Sequence, residues 1–270
     1  MSRKGRCAIC GVVGALTADH VPPSSVVPPR AIEIRLLADT IGSIDKPAPP
    51  RPGRNAPIFE TLCSSCNTAR LGAEFDPALA RFVNGFSSWI RSAFVLGLSL
   101  PSVARVSIQP ALVARAVIGH VLAAEPDRAA RLKTPVGTML RDMRAYFLSR
   151  DLALPPELEL LIWPFPADRI IIGRGFSRLE VGSGSIAKFE MLKFFPVAFV
   201  LMGTSAKRLY PSVSRVRPEV AETWDASVEI DIPLRPSPGP GWPELPGDDG
   251  VVCVSSPRMF VADLVGSAAP

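Results

Sequence analysis

Two cysteine pairs, Cys7-Ala8-Ile9-Cys10 and Cys63-Ser64-Ser65-Cys66, constrain this chain more than anything else in it. Thiolates at i and i+3 of a tight turn face the same way, and two such turns close a tetrahedron around one metal ion. Four of the five cysteines are used in this pattern. In a reducing compartment it points to a structural four-cysteine zinc site more than to disulfides. The competing reading is that some of these thiols are small buried apolar groups. The 52 residues between the pairs exceed the ~15–20 of an ordinary zinc ribbon. Something is therefore built between the two knuckles.

Inside that interval stands Asp19-His20, which holds one of only two histidines and runs into Val21-Pro22-Pro23. Proline lacks the N–H that an inner strand or helix needs, so a short strand ending at His20 is expected, with the imidazole exposed at its end. A surface-loop histidine without a role is the plain alternative. Directly after the second knuckle comes Asn67, and Arg70 follows three residues later, on the same face if a helix starts here. Arg70 is a candidate phosphate contact, or an ion-pair partner of Glu74 at i+4. Glu74 and Asp76 lie near the candidate site, where capping and solvation are their expected roles.

Read together, "CAIC…ADHVPP…LCSSCNTAR" resembles the HNH endonucleases, the zinc-knuckled branch of the ββα-metal nuclease fold. The resemblance covers about residues 5 to 80. It implies that His20 is the general base, a task suited to a side chain titrating near neutrality. It also implies that Asp19 and Asn67 supply oxygen ligands to a catalytic divalent cation, Mg or another. Zinc on Cys7, Cys10, Cys63 and Cys66 is then scaffold, and Arg70 binds substrate phosphate. The implied activity is hydrolysis of nucleic-acid phosphodiesters, of DNA rather than RNA. The alternative is a non-catalytic, zinc-stabilised nucleic-acid-binding or assembly module. One departure stands out. Many HNH sequences have an asparagine five residues before the second knuckle, where this chain has Ile58, with Asn55 nearby but out of register.

The formal charge of +5 is carried mostly by arginine, which suits bidentate phosphate contacts without demanding them. No apolar run reaches the ~20 residues that a bilayer requires. The basic-then-apolar start mimics a signal peptide, but its cysteines and glycines have the better explanation just given. A cytoplasmic address and no membrane partner are expected.

The fold class expected is α+β. An HNH domain over 1–95, with a proline-rich loop at 22–57, precedes a helical and then β-rich domain over 96–270. That second domain, of unassigned role, is a place for a protein partner or regulator. Residues 1–20 read as a knuckle followed by a short hairpin. Helical turns are expected in "AIEIRLLADTIG", and a helix from an Asp76-Pro77 start, with apolar residues from Leu79 to Phe94 at helical spacing. Further helices are expected at 110–124 and 135–149, then short strands from "LELLIWPF" to "VVCVS". His120, on an apolar helix, reads as a core or helix-surface residue, and Cys253 as a buried strand thiol. "GRGFSRLEVGSGS" lacks the context of a phosphate loop. Arg128, Arg131, Lys133, Arg141 and Arg144 read as a solvated helix face.

Overall fold

The computed structural model describes residues 3–27, 30–36, 49–95, 101–124, 135–180, 186–203, 213–216, 224–234, 242–243, 250–254 and 260–264. It is mixed α+β, with few helices and one large antiparallel sheet. The first strands, β1 (Lys4–Arg6) and β2 (Val13–Ala15), pair antiparallel, so the first knuckle forms the connection of a hairpin. Sequence had placed the hairpin after the knuckle. The next strand, β3 (Thr17–His20), instead pairs with β6 (Ile58–Leu62). From Ser65 the chain enters a wide π-type helix, α1 (Ser65–Phe75), which continues without a break into α2 (Asp76–Val95). Strand, strand and helix thus follow one another around the second knuckle, although the two strands come from segments some forty residues apart.

Within the expected 22–57 loop lie β4 (Ala31–Leu36) and β5 (Arg51–Arg54). The helical expectation for "AIEIRL" is corrected. Its apolar residues alternate with polar ones, and its partner is β15 (Phe260–Leu264), with Ile32 opposite Leu264. Pairing across the whole chain decided this segment, which a local reading cannot see.

The helices α3 (Pro110–Ala123) and α4 (Pro135–Leu148) match the expected ones to within a residue. Every residue of α3 from Ala111 to Ala123 is buried, the mark of a helix at the centre of a core. It packs on α1, α2 and α4, and on the inner face of the sheet. A separate ribbon, β7 (Val103–Ile108) with β13 (Val228–Pro233), packs on α2.

Among the described residues the large sheet has nine strands in the order β12–β8–β11–β10–β9–β15–β4–β5, with β14 (Gly250–Val254) also on β9. These are β8 (Leu158–Pro164), β9 (Arg169–Glu180), β10 (Ile186–Phe194), β11 (Val197–Gly203) and β12 (Ser214–Val216). The central strands are buried on both faces. Leu160 and Ile162 face the helices, while Leu161 and Trp163 pack with Phe189, Met191 and Trp242 on the other side. That explains runs such as "LLIW" (residues 160–163), apolar throughout rather than alternating. The helix-side cluster runs from Cys7 to Ala262, across the expected boundary at 95/96. Among the described residues no helix is long and apolar enough to cross a membrane.

Candidate functional site

The four sulfur atoms of Cys7, Cys10, Cys63 and Cys66 lie within 4.8 Å of one another. Zinc–sulfur bonds of ~2.3 Å in a tetrahedron imply sulfurs about 3.8 Å apart, and Cys10 Sγ lies 3.7 Å from Cys63 Sγ. Disulfide bonding needs about 2.05 Å, and all four cysteines are free thiols. The donor set thus fits a metal ion and is compatible with structural zinc. Backbone bonds shape both knuckles. Gly11, at φ 75°, donates its N–H to the Cys7 carbonyl at 3.0 Å, a left-handed turn that glycine adopts without strain. At the second knuckle, the N–H groups of Cys66 and Asn67 both donate to the Cys63 carbonyl. Ala8 N–H donates to the Thr61 carbonyl at 2.8 Å, tying the first knuckle to β6. Crowding splits the thiols: a hydrogen bond from Cys66 holds Cys7 down at about 4, and the same contact pushes Cys66 up.

The Asn67 side chain reaches back from α1 to β3. Its Nδ2 donates to the Ala18 carbonyl at 2.9 Å and to Thr17 Oγ1 at 3.0 Å. Since a carbonyl can only accept, these contacts fix which way the amide faces and leave Oδ1 as the free type of donor for a cation. Asn67 therefore meets the strand of Asp19 and His20 across a sequence separation of 49 residues.

The strand ends at His20 as expected, opposite Ile58, with Val21 N–H donating to the Pro57 carbonyl at 3.0 Å. His20 is half-buried rather than open, and Pro22 and Pro23 are themselves buried. Ile58, where the family pattern has asparagine, is 53 % exposed beside it. Asn55 holds φ 65°, a left-handed position that asparagine tolerates, where the chain turns from β5 towards β6.

Asp19 is buried and is turned towards α3, where its Oδ2 meets His120 Nδ1 at 3.1 Å. The other ring nitrogen, Nε2, meets Asp76 Oδ1 at 2.9 Å. An imidazole with a carboxylate on each nitrogen donates on both sides, which only the protonated ring can do. Burial alone pushes His120 down, but the charges of Asp76 and Asp19 and their hydrogen bonds outweigh it and raise it to about 10. Two carboxylates around one imidazolium leave a single negative charge beside β3. His120 is indeed a core residue, but it partners the candidate site. The one signal for this in the sequence was a histidine inside a largely apolar helix, which needs polar partners when buried.

Asp76 was expected to start a helix. The α-helix α2 does begin at Asp76, but α1 runs straight into it, so Asp76 caps no free end: its N–H is bonded to the Leu71 carbonyl in the π pattern and its carboxylate lies on His120. The Arg70–Glu74 ion pair is also corrected: Arg70 donates to the Leu148 carbonyl at the end of α4, at 2.8 Å, and Glu74 pairs with Arg150. Arg128, Arg131 and Lys133 lie outside the described residues, while Arg141 donates to Thr138 within α4. Cys253 lies on β14, its side chain outside the described set. No family model matches this chain, and no curated protein or solved structure matches it either.

Proposed function

We propose that the chain is a metal-dependent HNH-type endonuclease that hydrolyses phosphodiester bonds of nucleic acid, DNA rather than RNA. The carrying observation is the reach of Asn67 from the knuckle helix to the Ala18 carbonyl, next to Asp19 and His20. A hydrogen bond at this point between elements so distant in sequence supports one shared site. Zinc on Cys7, Cys10, Cys63 and Cys66 would hold β3, β6 and α1 together. Asn67 Oδ1 and Asp19 would be the oxygen donors for a magnesium-type cation, which the net negative charge of the Asp19–His120–Asp76 group would favour. Such a cation, when bound, supplies charge neutralisation at the scissile phosphate.

His20 accepts a proton from a water molecule, whose oxygen then forms the new bond to phosphorus. The P–O bond to the leaving sugar oxygen breaks, and that oxygen takes up a proton from solvent. Asn67, with both amide hydrogens spent on β3, keeps helix and strand in register. The commitment of Asp19 Oδ2 to His120 favours a second reading, a nucleic-acid-binding or assembly module without turnover. Substitution separates the two. His20→Ala is expected to lower Mg- or Mn-dependent cleavage about 10²–10⁴-fold, with metal content at the cysteines and nucleic-acid affinity retained. A parent protein that leaves single- and double-stranded DNA and RNA intact with Mg, Mn and Ni would rule the nuclease out.

A further inference from the structure

Two chain segments leave the candidate site, and the same two segments wall a cleft. The loop after His20 contributes Ser24 and Arg30, and the helix continuing from Asn67 contributes Asn84 and Arg91. The third wall is the sheet, with Arg169 at the start of β9 and Phe195 in the turn between β10 and β11. The cleft measures about 800 Å³, is partly open to solvent, and among the described residues offers three arginines against one lining acid, Asp168. Arg30 meets Asp168 at 3.5 Å with both side chains nearly half exposed. Arg169 donates to Asp263 at 2.8 Å. Ion pairs this exposed hold little energy, so phosphate competes for both guanidinium groups. Phe195 leaves 46 % of its surface exposed, an unusual placement for an aromatic ring at the tip of a turn.

We propose that this cleft binds a short single-stranded stretch of nucleic acid, with a base stacked on Phe195 and backbone phosphates on Arg91, Arg30 and Arg169. Stacking on an aromatic ring with cations along the backbone is how proteins hold single strands without reading their sequence. A cleft of this volume admits a few unpaired nucleotides, whereas a duplex would meet only its rim. The loop from His20 reaches this cleft at Ser24, four residues on, so the cleft is joined to the candidate site along the chain. The choice of nucleic acid as ligand rests on the proposed function. The single-strand assignment rests on the cleft.

The test is fluorescence anisotropy on the full chain with its cysteine-bound metal and no added magnesium. The probes are labelled oligodeoxythymidylate and oligouridylate of about ten nucleotides, and a hairpin duplex of equal length. Single strands should bind more tightly than the hairpin. Phe195→Ala should lose about tenfold on single strands, and Arg91→Ala should flatten the salt dependence by about 0.7 in log–log slope. Both residues are exposed, so unchanged melting temperatures are expected to show that the fold survives. Equal or tighter binding of the hairpin, or variants that bind single strands like the parent, would overturn the cleft assignment. Cleavage, assayed in parallel with Mg and Mn, keeps the two proposals apart. Binding with the expected losses but no cleavage overturns the nuclease and leaves the cleft. Cleavage unaffected by both substitutions overturns the cleft and leaves the nuclease.

Discussion

At the residue scale, the candidate site is a matter of who holds whom. His120 is fully buried between two carboxylates, so its charge stabilises the fold only while the ring is protonated. Its folded value near 10 lies above the ~6.5 of an unfolded histidine. The stabilisation is therefore complete below pH ~6.5, declines as pH rises and is gone above about 10. His120→Gln, which keeps a hydrogen-bonding side chain without the charge, should remove this slope. Melting temperatures of the two proteins, measured from pH 6.5 to 10, are expected to converge as pH rises. A constant gap would mean that the ring is neutral in the folded protein. The cysteines give a second residue-scale test. Cys63→Ser should lose bound metal and destabilise the knuckle region, while Cys253→Ser should do neither, as read by elemental analysis and thermal melting. About one zinc per chain is expected in the parent.

At the element scale, α3 sets the limits. Gly119 sits where a Cβ would come 2.5 Å from Leu71 Cδ2 and 2.6 Å from Phe147 Cε2, side chains from α1 and α4 that are themselves buried. Alanine improves helix propensity by about 1 kcal/mol over glycine, but overpacking a core costs about 1–3 kcal/mol. Both neighbours are fully buried, so moving either disturbs the core around it; overpacking wins and Gly119→Ala should lower the melting temperature. Gly14→Ala on β2 meets nothing within 4 Å and should be close to neutral. Denaturant titration of the two variants checks both expectations, and equal midpoints would refute the close approach of the three helices.

At the scale of the whole molecule, segments far apart in sequence share one core. Strand β4, from between the knuckles, pairs with β15 near the end of the chain, and the helix-side cluster joins Cys7 to Ala262. A protein divided at 95/96 would melt in two steps, with chelation removing only the first. The shared cluster makes one cooperative transition the expected outcome, its midpoint lowered as a whole when a chelator removes the cysteine-bound metal. Calorimetry with and without chelator reads this directly. A retained high-temperature transition after metal loss would restore the two-part description.

What was legible in the sequence was local chemistry and local periodicity. The two knuckles announce themselves because i,i+3 thiols work within a single turn, and the four sulfurs do meet. Helices α3 and α4 and most strands of the large sheet follow from apolar runs punctuated by proline and glycine, which act over a few residues. The end of β3 at His20 follows from proline's missing N–H. Tertiary structure decided everything that needs a distant partner. "AIEIRL" is a strand because β15 lies beside it, and Asp76, though it starts α2, turns its carboxylate to His120 instead of capping the helix. Arg70 turned from Glu74 to the end of α4 for the same reason. His120 shows the division most clearly: its burial could be read from the apolar helix around it, but its partners could not. Hydrogen bonds to Asp19, 101 residues away, and to Asp76, 44 residues away, exist only once packing has brought α3 between β3 and the α1–α2 junction.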